Sequence, residues 1–338
     1  MHRSHRQFWC LTAAAAAAVF ISFSTAHAET RTVRIAKQYG VSYLPLTIME
    51  EKKLLEAEGT KLGLDLKTDW LRFTGGPPMN EAIVSGNLDF ASGGVGPLLT
   101  AWARTKNNIK VKGIAALNAM PLWLNTINPN VKTIKDFTEK DRIALPAVRV
   151  SIQAVVLEMA AEKVFGKGQA HKLDPLTVSL SHPDGLAQMM SFKSQITGHL
   201  TSAPYMYIEL QDKRVHRVLD SYKVLGGPHT FNSIWATAKL YEKEPKLVKA
   251  FVAALKDSMD YIKAHPDDAA ALWVKNTHSK LPVAEVADII KKPENHWTMT
   301  PQKIMAFADF MSRIGMIPVK PSSWKDVYVK EVHNLPGS

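Results

Sequence analysis

Hydrophobic and polar positions along this chain switch between a two-residue and a three-to-four-residue period, segment after segment, as far as Leu240. Thr32 to Lys37 alternates and is rich in β-formers, which predicts a first strand. Gln38 to Leu44 reads as a polar-aromatic loop, and Pro45 opens a helix reaching about Ala57. Leu64 to Leu71 and Leu88 to Ser92 read as the next two strands and Ile109 to Ala116 as a fourth. Helices open at Pro77-Pro78 and at Pro97, the second running Leu98 to Thr105. Proline suits a first helical turn because the N–H it lacks has no intrahelical partner there. Strand and helix alternating over short loops predict a parallel α/β layer.

The rhythm then starts again. Leu122 to Asn125, Arg142 to Leu145, Thr177 to Leu180, Ile196 to Leu200 and Val215 to Asp220 read as strands. Between them fall a turn at Ile134 to Phe137, an amphipathic helix from Ser151 to Phe165, and helices starting near Pro183 and Ser202. Ser233 to Thr237 is one more strand, and beyond Leu240 the pattern is helical, from Pro245 to Ile314 with a break at His265-Pro266. Two segments interrupt the periodicity with proline and backbone-bending residues, Asn118 to Pro121 and Leu225 to Pro228. They predict two α/β lobes joined by two crossings with a helical C-terminal tail: lobe 1 from 29–119 plus 229–338, lobe 2 from 120–228.

The ends and the composition narrow the setting. Arg3 and Arg6 precede a short apolar run from Leu11 to Phe23, and Ala26-His27-Ala28 fits a small-x-small cleavage pattern. Residues 1–28 therefore read as an export signal cleaved after Ala28, predicting a periplasmic protein. The one cysteine, Cys10, precedes the apolar run, so neither a lipid anchor at the cleavage site nor a disulfide is expected. The formal net charge is +11, two units of it in the signal. The remaining lysines are dispersed among acids, as in Glu50-Glu51-Lys52-Lys53, which is a solvated helix face and not a nucleic-acid stripe.

The segment Thr74 to Gly94 is the most informative one. A Gly-Pro loop, a short helix, a Ser-Gly stop, a buried strand and a Gly pair contain no nucleophile, base or metal cluster. They suit a backbone that must come close to a ligand. With Tyr39-Gly40-Val41-Ser42-Tyr43-Leu44-Pro45 before it, Lys135-Asp136-Phe137 leading into Arg142 to Pro146, and Ala203-Pro204-Tyr205 later, the order and spacing resemble one family. It is the nitrate/sulfonate/taurine group of ABC-transporter substrate-binding proteins, related to thiamine-pyrimidine-precursor binders. The resemblance covers essentially the whole exported chain. It implies a type II periplasmic binding fold whose lobes close on a small molecule and then dock on an inner-membrane ABC permease. No cofactor is implied, and a monomer is expected.

Ligands of open α/β sheets bind beyond the carboxyl ends of strands. In lobe 1 that selects Tyr39, Ser42, Tyr43, Thr74, Gly75, Gly76, Gly94 and Val95; in lobe 2, Arg149, Ser151, His182, Thr201 and Ser202. Asn118, Met120 and His229 lie near the crossings. Helix starts near Pro77, Ser151, Pro183 and Ser202 bring free N–H groups, which favours an anion or a carbonyl-like acceptor, and Tyr39, Tyr43 and Met120 turn that towards an organic anion, sulfonate- or carboxylate-like. Arg149 reads either as a bidentate partner for that anion or as an exposed helix-start arginine or interlobe ion pair. Tyr39, Tyr43 and Trp123 stack on a guest or pack the core, and Ser151 and Ser202 are also good N-caps. His182, His199 and His229 lack zinc-ligand spacing, and no G-x-S-x-G nucleophile elbow is present, so no metal site and no enzyme are expected. Two alternatives share this cleft: a sensory binding protein presenting its ligand to a receptor, and a thiamine-pyrimidine-synthase-like enzyme. The latter group carries a cysteine-rich iron motif that this chain lacks past its signal.

Overall fold

The computed structural model describes residues 30–338; the export signal expected over residues 1–28 lies outside the described residues. In chain order the strands are β1 (Arg31–Lys37), β2 (Leu66–Arg72), β3 (Ala91–Gly94), β4 (Lys112–Ala116), β5 (Trp123–Thr126), β6 (Ile143–Leu145), β7 (Thr177–Ser179), β8 (Gly198–Thr201), β9 (His216–Asp220) and β10 (Asn232–Ala236). The helices are α1 (Leu44–Lys52), α2 (Leu54–Lys61), α3 (Gly76–Val84), α4 (Val95–Thr105), α5 (Ile152–Phe165), α6 (His182–Met190), α7 (Tyr205–Glu209) and α8 (Ser221–Leu225). The tail adds α9 (Ala238–Tyr241), α10 (Pro245–Ala264), α11 (Pro266–Thr277), α12 (Val283–Ile290), α13 (Ile304–Arg313) and α14 (Trp324–Val327).

Two sheets of the same design result. In the first, β1 pairs parallel with β2, and Phe90 bridges Ile35 in the same sense, so the order reads β2-β1-β3-β10-β4. In the second the order is β7-β6-β8-β5-β9, with β6 parallel to β7 and β8. Both sheets are mixed, which corrects the all-parallel expectation: β10 is antiparallel to β3 and β4, and β5 to β8 and β9. The reversed strand is in each case the first one laid down after the chain arrives from the other sheet. A chain entering from the facing lobe starts its strand at the edge where the parallel strands end, so it must run against them.

Most elements fall where the periodicity put them, with two instructive differences. The helix expected from Pro45 to Ala57 is two helices, because Lys53 takes a left-handed conformation (φ 50°) that caps α1 and starts α2. The third strand starts at Ala91 and not Leu88, because Asp89 is turned outward to Arg31 and Arg34, with a 2.8 Å contact to each.

The tail packs on the first sheet's lobe. α10 lies on α1 and α2, and α11 on α1. Phe251 of α10 stacks on Phe90 at 4.2 Å between centroids, and Trp235, Trp273, Trp297 and Trp324 are all buried. Burial of this kind contributes about 1.5–3 kcal/mol for each large apolar side chain. The tail also touches the other lobe. Tyr207 Oη donates to Glu294 at 2.8 Å, and the Arg313 guanidinium makes a bidentate pair with Glu162, at 2.7 and 2.5 Å. That pair holds the Glu162 carboxyl down at about 2. No helix among the described residues is long and apolar enough to cross a membrane.

Candidate functional site

The carboxyl ends of the parallel strands of both sheets face one cleft. Gln38, Tyr39 and Tyr43 line it after β1, Thr74 and Gly76 after β2, and Gly94 and Pro97 after β3. Pro146, Ser151, Ile152 and Gln153 follow β6, His182 follows β7, and Phe231 and Asn232 come from the return to lobe 1. Four helices of nine residues or more begin at this lining: α3 at Gly76, α4 behind Gly94, α5 behind Ser151, and α6 at His182. The first four N–H groups of each have no intrahelical acceptor, and the helix dipole makes each start electropositive. Ser151 Oγ accepts from the Ala154 N–H, and Ser181 Oγ from the Asp184 N–H, which fixes where α5 and α6 start.

Among the described residues that line the cleft, none is aspartate, glutamate, lysine or arginine. The only titratable nitrogen there belongs to His182, and burial next to His199 holds it well below the usual histidine range. On the lining itself the electropositive groups are therefore the backbone N–H groups at the helix starts. Outside the lining, Arg72 stands over the Tyr39 ring at 5.5 Å.

The lobes meet closely around this space. The Val41 N–H donates to the Ala203 carbonyl across the cleft at 3.0 Å, and Gly40 reaches that position with φ 116°, a region open to glycine. A Cβ on Gly94 would stand 2.5 Å from Ile152 Cγ2. About 30 Å³ remains for the centre of a water-sized sphere, room for roughly two waters.

Behind the lobe 2 wall runs a buried polar chain. Asn125 Nδ2 donates to Glu209 at 2.8 Å, and Glu209 Oε1 accepts from His199 Nδ1 at 2.6 Å. His199 Nε2 is thereby the acceptor for His182 Nδ1–H, at 3.1 Å, with Thr201 Oγ1 also 3.0 Å from that nitrogen. His182 Nε2 then accepts from the Gln153 amide at 3.1 Å. The carboxylate at one end thus fixes the direction of every donor, and Gln153 presents its remaining amide groups to the cleft. Gly185 makes room for this chain, since a Cβ there would lie 2.7 Å from His199 Nε2. On the lobe 1 side, Asn118 Nδ2 donates to the Ser42 carbonyl at 2.6 Å and Asn232 Nδ2 to Ser42 Oγ at 2.9 Å. Asn232 Oδ1 is buried with no hydrogen-bond partner.

Of the residues expected from sequence, Tyr39, Tyr43, Thr74, Gly76, Gly94, Ser151 and His182 lie on the lining. Gly75 faces the Pro146 carbonyl across the lobes, Val95 is the first residue of α4, and Ser42 and Asn118 lie beneath the lining. Thr201 supports His182, and Ser202 Oγ is buried without a partner near Gly40. Met120 is buried in the core at the first crossing. Two further expected residues also lie away from the lining. Arg149 has φ 61°, is 70% exposed, and turns away from the cleft to Asp174, 3.3 Å from Nε. His229 is wholly buried at the second crossing, donating from Nδ1 to the Thr230 carbonyl at 2.9 Å and accepting at Nε2 from Ser221 Oγ at 2.8 Å. The helix start expected near Ser202 is a five-residue helix beginning at Tyr205 and offers no comparable end. Gln38, Pro97, Pro146, Ile152, Gln153, Phe231 and Asn232 are lining residues that sequence reasoning missed. Their signal was adjacency: each lies within three residues of a selected position or in the stretch just past the second crossing.

Comparison with known proteins follows this geometry. No curated protein sequence matches the chain. Among solved structures, the alkanesulfonate-binding protein SsuA from Xanthomonas axonopodis pv. citri bound to MOPS superposes with a TM-score of 0.68 at 17% identity, covering 85% of this chain and 94% of that one. The periplasmic aliphatic sulphonate binding protein SsuA from Escherichia coli gives 0.65 at 18%, covering 88% and 92%. The periplasmic nitrate-binding protein NrtA from Synechocystis PCC 6803 gives 0.69 at 15%, covering 88% and 85%. Such superpositions show the periplasmic-binding-protein fold, with two α/β lobes and two crossings. The NMT1/THI5-like family model matches residues 60–269, more than half of the sequence and parts of both lobes, and the chain belongs to that family.

Proposed function

We propose that this protein is a non-catalytic solute-binding component that takes a small organic anion, sulfonate- or carboxylate-like, into the interlobe cleft and passes it unchanged to an ABC permease. The observation that carries this reading is the meeting of four helix N-termini from two lobes in one cleft whose lining, among the described residues, bears no aspartate, glutamate, lysine or arginine. Backbone N–H groups at helix starts recognise an anion without burying a counter-charge. Tyr39, Tyr43, Ile152 and Phe231 supply apolar walls for an organic portion. The sulfonate- and nitrate-binding proteins of the same fold are named for anions, which supports the same class here.

A guest larger than about two waters enters only when the lobes part, so capture is coupled to rotation about the crossings. Lobe boundaries at 119/120 and 228/229 put Ala119, which exchanges 2.9 Å backbone hydrogen bonds with His296 and bridges Thr230, on that axis. An exported location goes with this role.

Thermal melting of the purified chain against alkanesulfonates, taurine, short carboxylates, nitrate and neutral isosteres tests the reading. One anion class is expected to raise the melting temperature, a ligand at a hundred times its Kd adding about 2.7 kcal/mol. Stabilisation by neutral isosteres as strong as by anions, no stabilisation by any anion, or conversion of the bound compound overturns it.

A further inference from the structure

A second constellation sits outside the cleft, where α5 is covered by the short 3-10 turn Ala170–Leu176. Glu158 of α5 is 1% exposed, and neither of its carboxyl oxygens has a hydrogen-bond partner among the described residues. A carboxylate buried in this way is costly unless a cation or donor faces it. Its Oε1 points at His171 Nδ1, 3.7 Å away, and that nitrogen is 2.9 Å from Asp174 Oδ2. One donor atom from each of the three residues lies within 4.8 Å of the others. The Asp174 side chain is 7% exposed and His171 is 52% exposed, so the constellation opens outward on one side only.

We infer that Glu158, His171 and Asp174 form a divalent transition-metal site, with zinc the best match. A tetrahedral zinc ion with bonds of about 2.0 Å needs donor atoms roughly 3.3 Å apart, so the three groups must shift by about an ångström or less. One imidazole and two carboxylates suit zinc, whereas calcium asks for six or more oxygens and copper(I) for soft thiolate or thioether ligands. Without metal, burial and the neighbouring Asp174 raise the Glu158 carboxyl to about 8, and a +2 ion displaces that proton and balances both carboxylates, of which only Asp174 has a guanidinium partner, Arg149 Nε at 3.3 Å. Three protein donors leave a fourth position for water, facing a depression rimmed by both lobes, with Arg104 and Met316 from lobe 1 and Val150 from lobe 2. Bound metal fastens the 170–176 turn to α5 and does not enter the anion cleft. Spacing along the sequence concealed it, because Glu158 and His171 are brought together by the turn's fold on α5 and not by a short motif.

Cobalt(II) titrated into the full chain, purified without a polyhistidine tag, reads the site directly. Equimolar Co²⁺ is expected to produce the visible absorption of a four-coordinate site, removed by one equivalent of Zn²⁺, and Zn²⁺ is expected to raise the melting temperature. Glu158→Gln and His171→Ala should each weaken Zn²⁺ binding by more than about tenfold. His171 is half exposed, so its replacement leaves the core intact and serves if Glu158→Gln unfolds the lobe. No absorption band, or a band that survives both substitutions, overturns the inference. Binding of the cleft anion is expected to be the same in His171→Ala as in the parent chain, which separates loss of metal from loss of fold.

Discussion

Gln153 depends on a group it never touches. The direction of its amide follows from Glu209, through His199 and His182, because a carboxylate can only accept. Glu209→Gln keeps the shape but offers one acceptor and one NH₂ where two donors, His199 Nδ1–H and Asn125 Nδ2–H, require acceptors. If the new NH₂ faces His199, both imidazoles exchange tautomers and Gln153 must turn its carbonyl to His182. The expected cost is about 1–3 kcal/mol of stability for a buried donor left unpaired. The His182 ring should exchange its protonated and unprotonated nitrogens in ¹⁵N spectra; unchanged shifts with unchanged urea stability would refute the relay. Sequence alone marked His182 as a cleft residue because it follows a strand. It could not mark Glu209, whose contribution arises only when α7 packs under β5 and β8. It also left Arg149 open between cleft and exposed helix start, because that choice is made by one left-handed residue that no periodicity encodes.

At the level of elements, loops beyond strand ends decide how near the lobes come. The segment Thr74 to Gly94 reads from the sequence as a ligand-facing stretch, and Thr74, Gly76 and Gly94 of it lie on the cleft lining. What it did not reveal is that Gly94 meets the opposite lobe. Its missing Cβ leaves space for Ile152 at the start of α5, where an added methyl would stand 2.5 Å from Cγ2 and 2.7 Å from Cβ. The second of these contacts is to a β-branched carbon fixed to its helix, so a rotamer change cannot relieve it. Gly94→Ala should therefore hold the lobes apart without unfolding either. Small-angle scattering with the stabilising anion present is expected to keep the larger radius of gyration of the unliganded chain, and affinity should fall about tenfold or more, in line with 1–3 kcal/mol for overpacking. Compaction equal to the parent's would show that the approach is not limiting. The mixed sheets were missed for a related reason: strand direction is set by which lobe the chain comes from, and hydrophobic alternation carries no sign of direction.

For the whole molecule, the two crossings are tied to each other by one buried histidine. Leu122, just past the first crossing, donates its N–H to Ser221 Oγ at 2.8 Å, and that hydroxyl donates to His229 Nε2, just past the second. Tyr222 and Phe307 pack edge-on against the ring. Burial lowers its pKa to about 4, against 6.5 for a free histidine. The unfolded chain therefore binds more protons than the folded one between these two values, and stability falls as pH drops through that window. Two and a half units at about 1.36 kcal/mol each give roughly 3 kcal/mol lost by pH 4, with nothing further from this group below it. His182, also lowered by burial, adds to the same slope. Over the same range Glu158, whose carboxyl burial raises to about 8, stabilises the fold as pH falls, so the histidine's decline in urea midpoint from pH 8 to pH 4 is read against a His229→Gln reference. His229→Gln, which can still donate to the Thr230 carbonyl and accept from Ser221, should lack that decline while leaving the midpoint at pH 8 nearly in place. Parallel curves for the two proteins would mean that the acid sensitivity belongs to other groups and that the histidine at the crossings remains neutral without cost. A decline confined to the parent chain would place the acid-labile point at the axis about which the lobes turn, so that mild acid loosens closure before it unfolds either sheet.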